Sequence, residues 1–260
     1  MLTKHNITAI PALTDNYIWA ITLQGKNGCV LVDPGESKPA IDFLTKNKYK
    51  LHGILVTHHH YDHTDGIEDL INLFPCKVWG ASNTKCKYVT SFVTEEDTIT
   101  IPEINIEFKV KTTPGHTLDH IIFYNDELMF TGDTLFSFGM GRIFEGTPEM
   151  MLRSINKIKK MDSKLKIYCG HEYTLSNIEF ALLTDPDNHL LKERLNDTKI
   201  EIGQGKPTLP SILESELIAN PFLRSNKNEI KTSIEARLNK KTYSELEVFT
   251  ELRHWKNNLK

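Results

Sequence analysis

The chain is expected to fold as an α/β sandwich of mixed sheets covered by helices, followed by a smaller helical region. Three features of its 260 residues lead there. Short β-rich runs alternate with amphipathic helical stretches, several β runs follow one another directly, and after Tyr173 the strand-like runs give way to helices.

The elements are justified in turn by their patterning. β-rich runs at Ile7–Leu13, Tyr17–Leu23 and Cys29–Asp33 open the chain, the last stopped by Pro34-Gly35. Pro39–Lys46 reads as a helix with Ile41, Phe43 and Leu44 as core contacts. Leu51–Val56 is a buried strand that runs straight into a histidine cluster. From Asp65 to Phe74 the apolar residues Ile67, Leu70, Ile71 and Phe74 recur at i, i+3, i+4 and i+7, one face of a helix. Further strands are expected at Lys77–Trp79, Thr98–Ile101, Ile104–Val110, His120–Tyr124 and Leu128–Phe130. Pro148 suits a helix start, and Met151, Ile155 and Ile158 carry the amphipathic spacing through Met161. Leu165–Tyr168 is the last strand. Helices then follow at Thr174–Leu183, Leu190–Ile202, Asn228–Leu238 and Ser244–Trp255, separated by the loop Gly203–Pro210 and the Pro221 region. A domain boundary is therefore expected between residues 173 and 174.

Composition excludes several classes. With 39% hydrophobic and 25% charged residues the chain has enough apolar material for a sizeable core. Its net charge of −3, with acids and bases interspersed, offers no basic face to nucleic acid or anionic lipid. The N-terminal MLTKHNITAIPALTDNY lacks the apolar stretch of a signal peptide, and no apolar run approaches spanning length. Cys29, Cys76, Cys86 and Cys169 show neither C-x-x-C spacing nor scaffold density, so they read as small hydrophobes in a reducing compartment. A cytoplasmic location is expected.

The chemistry concentrates in the histidines. Among eleven, His58, His59, His60 and His63 fall within six residues, as His58-x-His60-x-Asp62-His63. In a loop leaving a strand, His58 and His60 can turn to one side while Asp62 and His63 reach a second point. Imidazole and carboxylate are donors that zinc and similar ions prefer. Two ligands for each of two ions leave both sites incomplete, so more are required downstream. His116 in TTPGHT, Asp133 in LMFTGDT and His171 in IYCGHEYT each follow a β run, where a rigid scaffold can present a ligand. By alternation His59 and Tyr61 should point away from the metals. His120 is read as a support for His116 or Asp133, and His5, His52, His189 and His254 as ordinary surface or partly packed residues.

T-H-x-H-x-D-H, then P-G-H-T, G-D-T and G-H-E-Y-T, in that order, resembles the metallo-β-lactamase superfamily. Within it the chain resembles glyoxalase II, the hydroxyacylglutathione hydrolases, through DNYIWAI, DTLFSFGMGRIFEGT, HEYTLSNIEFAL and NPFLR. The resemblance implies a four-layer αββα sandwich over residues 1–173 and a small helical domain over 174–260 that helps bind glutathione. It implies two divalent ions, zinc first, with iron or manganese tolerated. His58, His60 and His116 would hold one, Asp62, His63 and His171 the other, and Asp133 would bridge them. Arg142, Phe144, Tyr173, Arg224 and Lys227 match positions that contact the glutathione moiety. Two departures stand out: Asp65 where the family commonly has a small residue, and Phe144 where many members have tyrosine, which removes a hydroxyl contact.

The implied reaction is hydrolysis of S-D-lactoylglutathione and related 2-hydroxyacyl thioesters to D-lactate and glutathione, in methylglyoxal detoxification. Two ions about 3.5–4 Å apart can hold a bridging water, bring its pKa near neutrality, and polarise the carbonyl. Asp133 would fix the separation, and Asp62 would both ligate and orient the hydroxide. A thiol of pKa about 8.5 departs as thiolate, so no protein acid is obligatory. Arg142, Arg224 and Lys227 would meet the glutathione carboxylates.

Rival readings share parts of the pattern. A zinc β-lactamase would carry cysteine where Asp133 stands and would be exported. A tRNA-processing nuclease would show a basic patch, and a lactonase or another thioesterase of the superfamily would keep the metal ligands alone. A structural metal protein would cage one ion with four cysteine or histidine ligands, unlike this carboxylate-bridged set. The expected partner is a small-molecule glutathione thioester, with no nucleic acid, no membrane and a monomeric chain.

Overall fold

A computed structural model of the protein describes residues 5–242 and 244–259. Packing divides the chain into two compact units, Met1–Thr112 with Asp119–Gly132, and Thr113–Leu118 with Asp133–Lys260.

The first unit opens with strands β1 (His5–Ala12), β2 (Asn16–Leu23) and β3 (Gly28–Val32), then helix α1 (Ser37–Asn47) and strand β4 (Lys50–Leu55). Helices α2 (Tyr61–Thr64) and α3 (Ile67–Leu73) precede β5 (Lys77–Ala81) and β6 (Ser91–Val93). These six strands form one sheet in the order β1-β2-β3-β4-β5-β6. It is antiparallel from β1 to β3 and parallel from β3 to β6. Every residue of β2 and β3 is buried, which is why these strands read as near-continuous apolar runs. Ala40 and Leu44 of α1 and Ile67 and Leu70 of α3 pack with Ile18, Leu31, Ile54 and Val78 of the strands.

A second, antiparallel group follows in the same unit: β7 (Thr98–Ile101), β8 (Ile106–Thr112), β9 (Ile121–Tyr124) and β10 (Leu128–Gly132). On β8, Ile106, Phe108 and Val110 are buried and Glu107 and Lys109 exposed, the two-residue alternation of a half-covered strand.

The second unit begins with the hairpin strands β11 (Leu135–Phe136) and β12 (Gly139–Met140). Helix α4 (Pro148–Ile158) starts where Thr147 accepts a hydrogen bond from the Met150 N–H and Pro148 fills the first turn. Strand β13 (Lys166–Cys169), helices α5 (Thr174–Thr184) and α6 (His189–Gly203), strand β14 (Ser211–Ile212), and helices α7 (Leu213–Ala219), α8 (Asn228–Leu238) and α9 (Glu245–Asn257) complete it. Phe138, Ile178, Ala181, Leu191 and Ala219 form one apolar cluster. Phe222 stacks on Phe180 and meets Phe249 edge-on, tying α5 to α9.

The expected long elements are present, with shifted ends. α1 starts at Ser37 and holds Pro39 in its first turn, where the missing N–H had no partner to lose. The helix expected over Asp65–Phe74 is α3, which starts two residues later, after Gly66, whose N–H bonds the Pro34 carbonyl; the short α2 that precedes it was not expected. Strands β6, β11, β12 and β14 have three residues or fewer, too few to show a period. Among the described residues no helix is long and apolar enough to cross a membrane, and the four cysteines are free thiols.

Candidate metal centre and substrate-facing residues

In the first unit, β4 runs into Thr57, which anchors the histidine loop. Its N–H and its hydroxyl each donate to the Asp33 carboxylate at 2.7 Å, and its carbonyl accepts from the Ile121 N–H at 2.9 Å. The Thr57 hydroxyl also lies 3.0 Å from His58 Nδ1, and His58 Nε2 lies 3.2 Å from His60 Nδ1. α2 presents His63 with Nδ1 3.1 Å from Asp33 Oδ2 and Nε2 3.5 Å from Asp62 Oδ2. Asp33, His58 and His63 each offer a donor atom within 4.8 Å of the others, and all three are buried. Asp33 takes the Nδ1 side of the His63 ring, which leaves Nε2 on the Asp62 side.

Asp62 is braced from β2. Asn16 Nδ2 donates to the Asp62 carboxylate at 3.1 Å and to its carbonyl at 3.2 Å. Gly35 passes so close beneath that a Cβ there would sit 1.8 Å from the Asp62 carbonyl oxygen. His59 turns aside to Asp119, with Nδ1 2.9 Å from Oδ1, while the Thr84 hydroxyl holds the other Asp119 oxygen at 2.7 Å. Tyr61 is largely exposed. His120 stacks on His58 with ring centres 4.8 Å apart.

The second unit centres on Asp133. His171 Nε2 lies 3.2 Å and His116 Nε2 3.5 Å from the same oxygen, Asp133 Oδ2. His116 Nδ1 donates to the Arg142 carbonyl at 2.7 Å, which leaves its Nε2 lone pair facing the carboxylate side. All three residues are buried. Gly141 touches the Asp133 backbone: a Cβ at 141 would lie 1.8 Å from the Asp133 carbonyl oxygen.

The expected substrate contacts fall in this unit too. Tyr173 lies parallel on the His171 ring at 4.8 Å, and Phe144 meets His116 edge-on at 5.2 Å. Phe144 and Arg142 are exposed. Arg224 is half-buried and already ion-paired with Asp185. Burial works against the Asp185 charge, but hydrogen bonds from Arg224 and Asn188 win and hold its carboxyl below the ordinary value. Lys227 is exposed at the start of α8, its N–H bonded to the Arg224 carbonyl at 2.8 Å.

Three contributors were not read from the sequence: Asn16, Asp33 and Asp119. Asp33 left a signal, an acid closing five buried residues just before Pro-Gly. The others are single polar residues whose partners lie tens of residues away.

The sequence model described as "Metallo-beta-lactamase superfamily" matches residues 13–171, and "Hydroxyacylglutathione hydrolase C-terminus" matches residues 172–259. A hydroxyacylglutathione hydrolase of Idiomarina loihiensis is 44% identical over 97% of this chain and 99% of its own length. The chain belongs to the hydroxyacylglutathione hydrolase family. A second member, from Vibrio campbellii, is 43% identical over 96% of this chain and 98% of its own. Among solved structures, ETHE1 from Myxococcus xanthus superposes with a TM-score of 0.65 at 20% identity, covering 99% of this chain and 91% of that one. The family match and this likeness together establish the metallo-β-lactamase fold with an added helical C-terminal region.

Proposed function

We propose that the chain is a thioester hydrolase that cleaves S-D-lactoylglutathione and related 2-hydroxyacyl glutathione thioesters to the 2-hydroxy acid and glutathione. Membership in the hydroxyacylglutathione hydrolase family supports the reaction class. The observation that carries the site is the single Asp133 oxygen facing two imidazole Nε2 atoms, the geometry a bridging carboxylate needs.

In this reading His58, His60 and His116 would hold one divalent ion, Asp62, His63 and His171 would hold a second, and Asp133 would be shared by both. Zinc is the first choice, and iron or manganese suit the same donors. Bound there, the ions supply the acidification of water and the polarisation of the thioester carbonyl. The chain's own residues do the rest. Asp62, held by Asn16, accepts a proton-side hydrogen bond from the attacking water and aims it. Asp33 and the Arg142 carbonyl fix the His63 and His116 rings. Arg142, Arg224 and Lys227 pair with the glutathione carboxylates, and Tyr173 and Phe144 flank the thioester end through their contacts with His171 and His116. The thiolate leaves without a protein acid.

Residues 1–173 then serve as the catalytic domain and 174–260 as the helical glutathione-binding domain, in a monomer working in the cytoplasm. Steady-state hydrolysis of S-D-lactoylglutathione, with metal analysis of the same sample, tests the reading. Turnover with two ions per chain is expected, and one caged ion without turnover refutes it.

A further inference from the structure

α9 carries a guanidinium in an unusual setting. Arg253 is only 4% exposed, yet its hydrogen-bond acceptors are backbone carbonyls: Nη1 donates to Met140 O at 2.7 Å and reaches Gly141 O at 3.5 Å. Its Nε has no hydrogen-bond partner among the described residues, and its Cζ lies 5.3 Å from the centre of the Phe222 ring. Three residues further along α9, Lys256 Nζ is buried and likewise lacks a hydrogen-bond partner among the described residues. Burial, then the charge of Arg142, lowers Arg253 to about 10, so it stays cationic at neutral pH. Burial, then Arg253 and Arg142, lowers Lys256 to about 7.

An apolar side chain would fill this space at lower cost, because a buried charge needs compensation that packing alone does not. What a guanidinium adds is a rigid fork that spans neighbouring acceptors. The acceptors are informative. The carbonyls of Met140, Gly141 and Arg142 are consecutive, and side chains take all three: Arg253 the first two and His116 the third. The segment is the exit of a two-residue strand, with little ladder of its own to hold it.

We propose that Arg253 is a positioning residue for the thioester reaction, setting through the Met140 and Gly141 carbonyls both the Arg142 side chain and the carbonyl that orients His116. This rests on the reading of Arg142 as a contact for a glutathione carboxylate. The cations of α9 also make the surroundings of Arg142 favour an anionic ligand, since each of them repels it.

The test compares Arg253→Met, Arg253→Lys, Arg142→Met and the double variant Arg142→Met/Arg253→Met in the metal-loaded enzyme. Readouts are KM and kcat for S-D-lactoylglutathione, the Kd of S-methylglutathione by calorimetry, thermal midpoint and metal content. Arg253→Met should raise KM and Kd about tenfold, with a smaller loss in kcat. Arg253→Lys, which keeps the charge without the fork, should raise them about threefold. The double variant should bind no more weakly than the worse single one, because both changes remove the same contact. A lower thermal midpoint with wild-type KM and Kd in both Arg253 variants marks a packing role and overturns the proposal. If Arg253→Met does not fold, wild-type constants in Arg253→Lys overturn it alone. Unchanged constants in Arg142→Met instead refute the assignment of Arg142, a separate failure.

Discussion

Asp33 Oδ2 lies 3.1 Å from His63 Nδ1, and the same carboxylate takes the N–H and the hydroxyl of Thr57. One acid at the end of β3 therefore sets the ring of one expected ligand and the root of the loop that bears three more. Asp33→Ala should weaken metal binding about 10–100-fold, as loss of a ligand's supporting carboxylate does. Asn keeps one acceptor and should fall between. Competition with a chromophoric chelator measures this, and wild-type affinity in Asp33→Ala would show that His63 needs no support.

Two imidazoles face Asp133 in the second unit. Asp133→Ala should lose bound metal and nearly all turnover, and exhaustive chelation of the parent protein should do the same reversibly. Metal per chain and kcat, measured on one preparation, check both; an active Asp133→Ala would refute the bridging role.

Arg224 has two expected jobs. Removing its charge should raise KM for the thioester with kcat little changed, and should also break the ion pair with Asp185. The loss of that charged hydrogen bond should cost about 2 kcal/mol of stability at pH 7. Because folding depresses Asp185, its contribution is present above the unfolded carboxyl value of about 3.9 and fades as pH falls through the folded one. Urea unfolding of Arg224→Ala and the parent should therefore converge in acid. A constant gap across pH would assign the loss to packing.

Glu216 behaves in the opposite sense. Burial pushes its carboxyl up to about 7, against hydrogen bonds from Ser211, Asn220 and the Phe138 N–H. A raised acid contributes most below its unfolded value, and stability drains away as pH rises from about 4.5 toward 7. Glu216→Gln should flatten that slope and match or exceed the parent at pH 8. Denaturant midpoints at pH 5 and pH 8 decide it, and an unaltered slope would place the titration elsewhere.

The helices and long strands were legible because β2, β3, α3 and α4 bury a face or a whole strand, and burial writes itself into apolar spacing. The candidate metal donors stood out for a different reason: His58 to His63 crowd four candidate ligands, three imidazoles and a carboxylate, into six residues. What stayed hidden is pairing over long stretches of chain. Asp33 pairs with His63 thirty residues on, and Arg253 meets Met140 across 113 positions. No period or spacing encodes such a pair. Arg224 shows another limit: its match to a substrate position was visible, but its bond to Asp185 was not, since Asp185 reads as one more acid at a helix end.

The contact of Gly141 with the Asp133 backbone bears on how such an enzyme can change. Any side chain at 141 would collide with the backbone of the residue proposed to bridge the metals, so that position is closed to variation. Its neighbours Arg142 and Phe144 point outward and are free to differ. With Arg142 and Phe144 as the proposed glutathione contacts, the thiol carrier a descendant prefers can be rewritten there, one substitution at a time, while the surroundings of Asp133 are inherited intact.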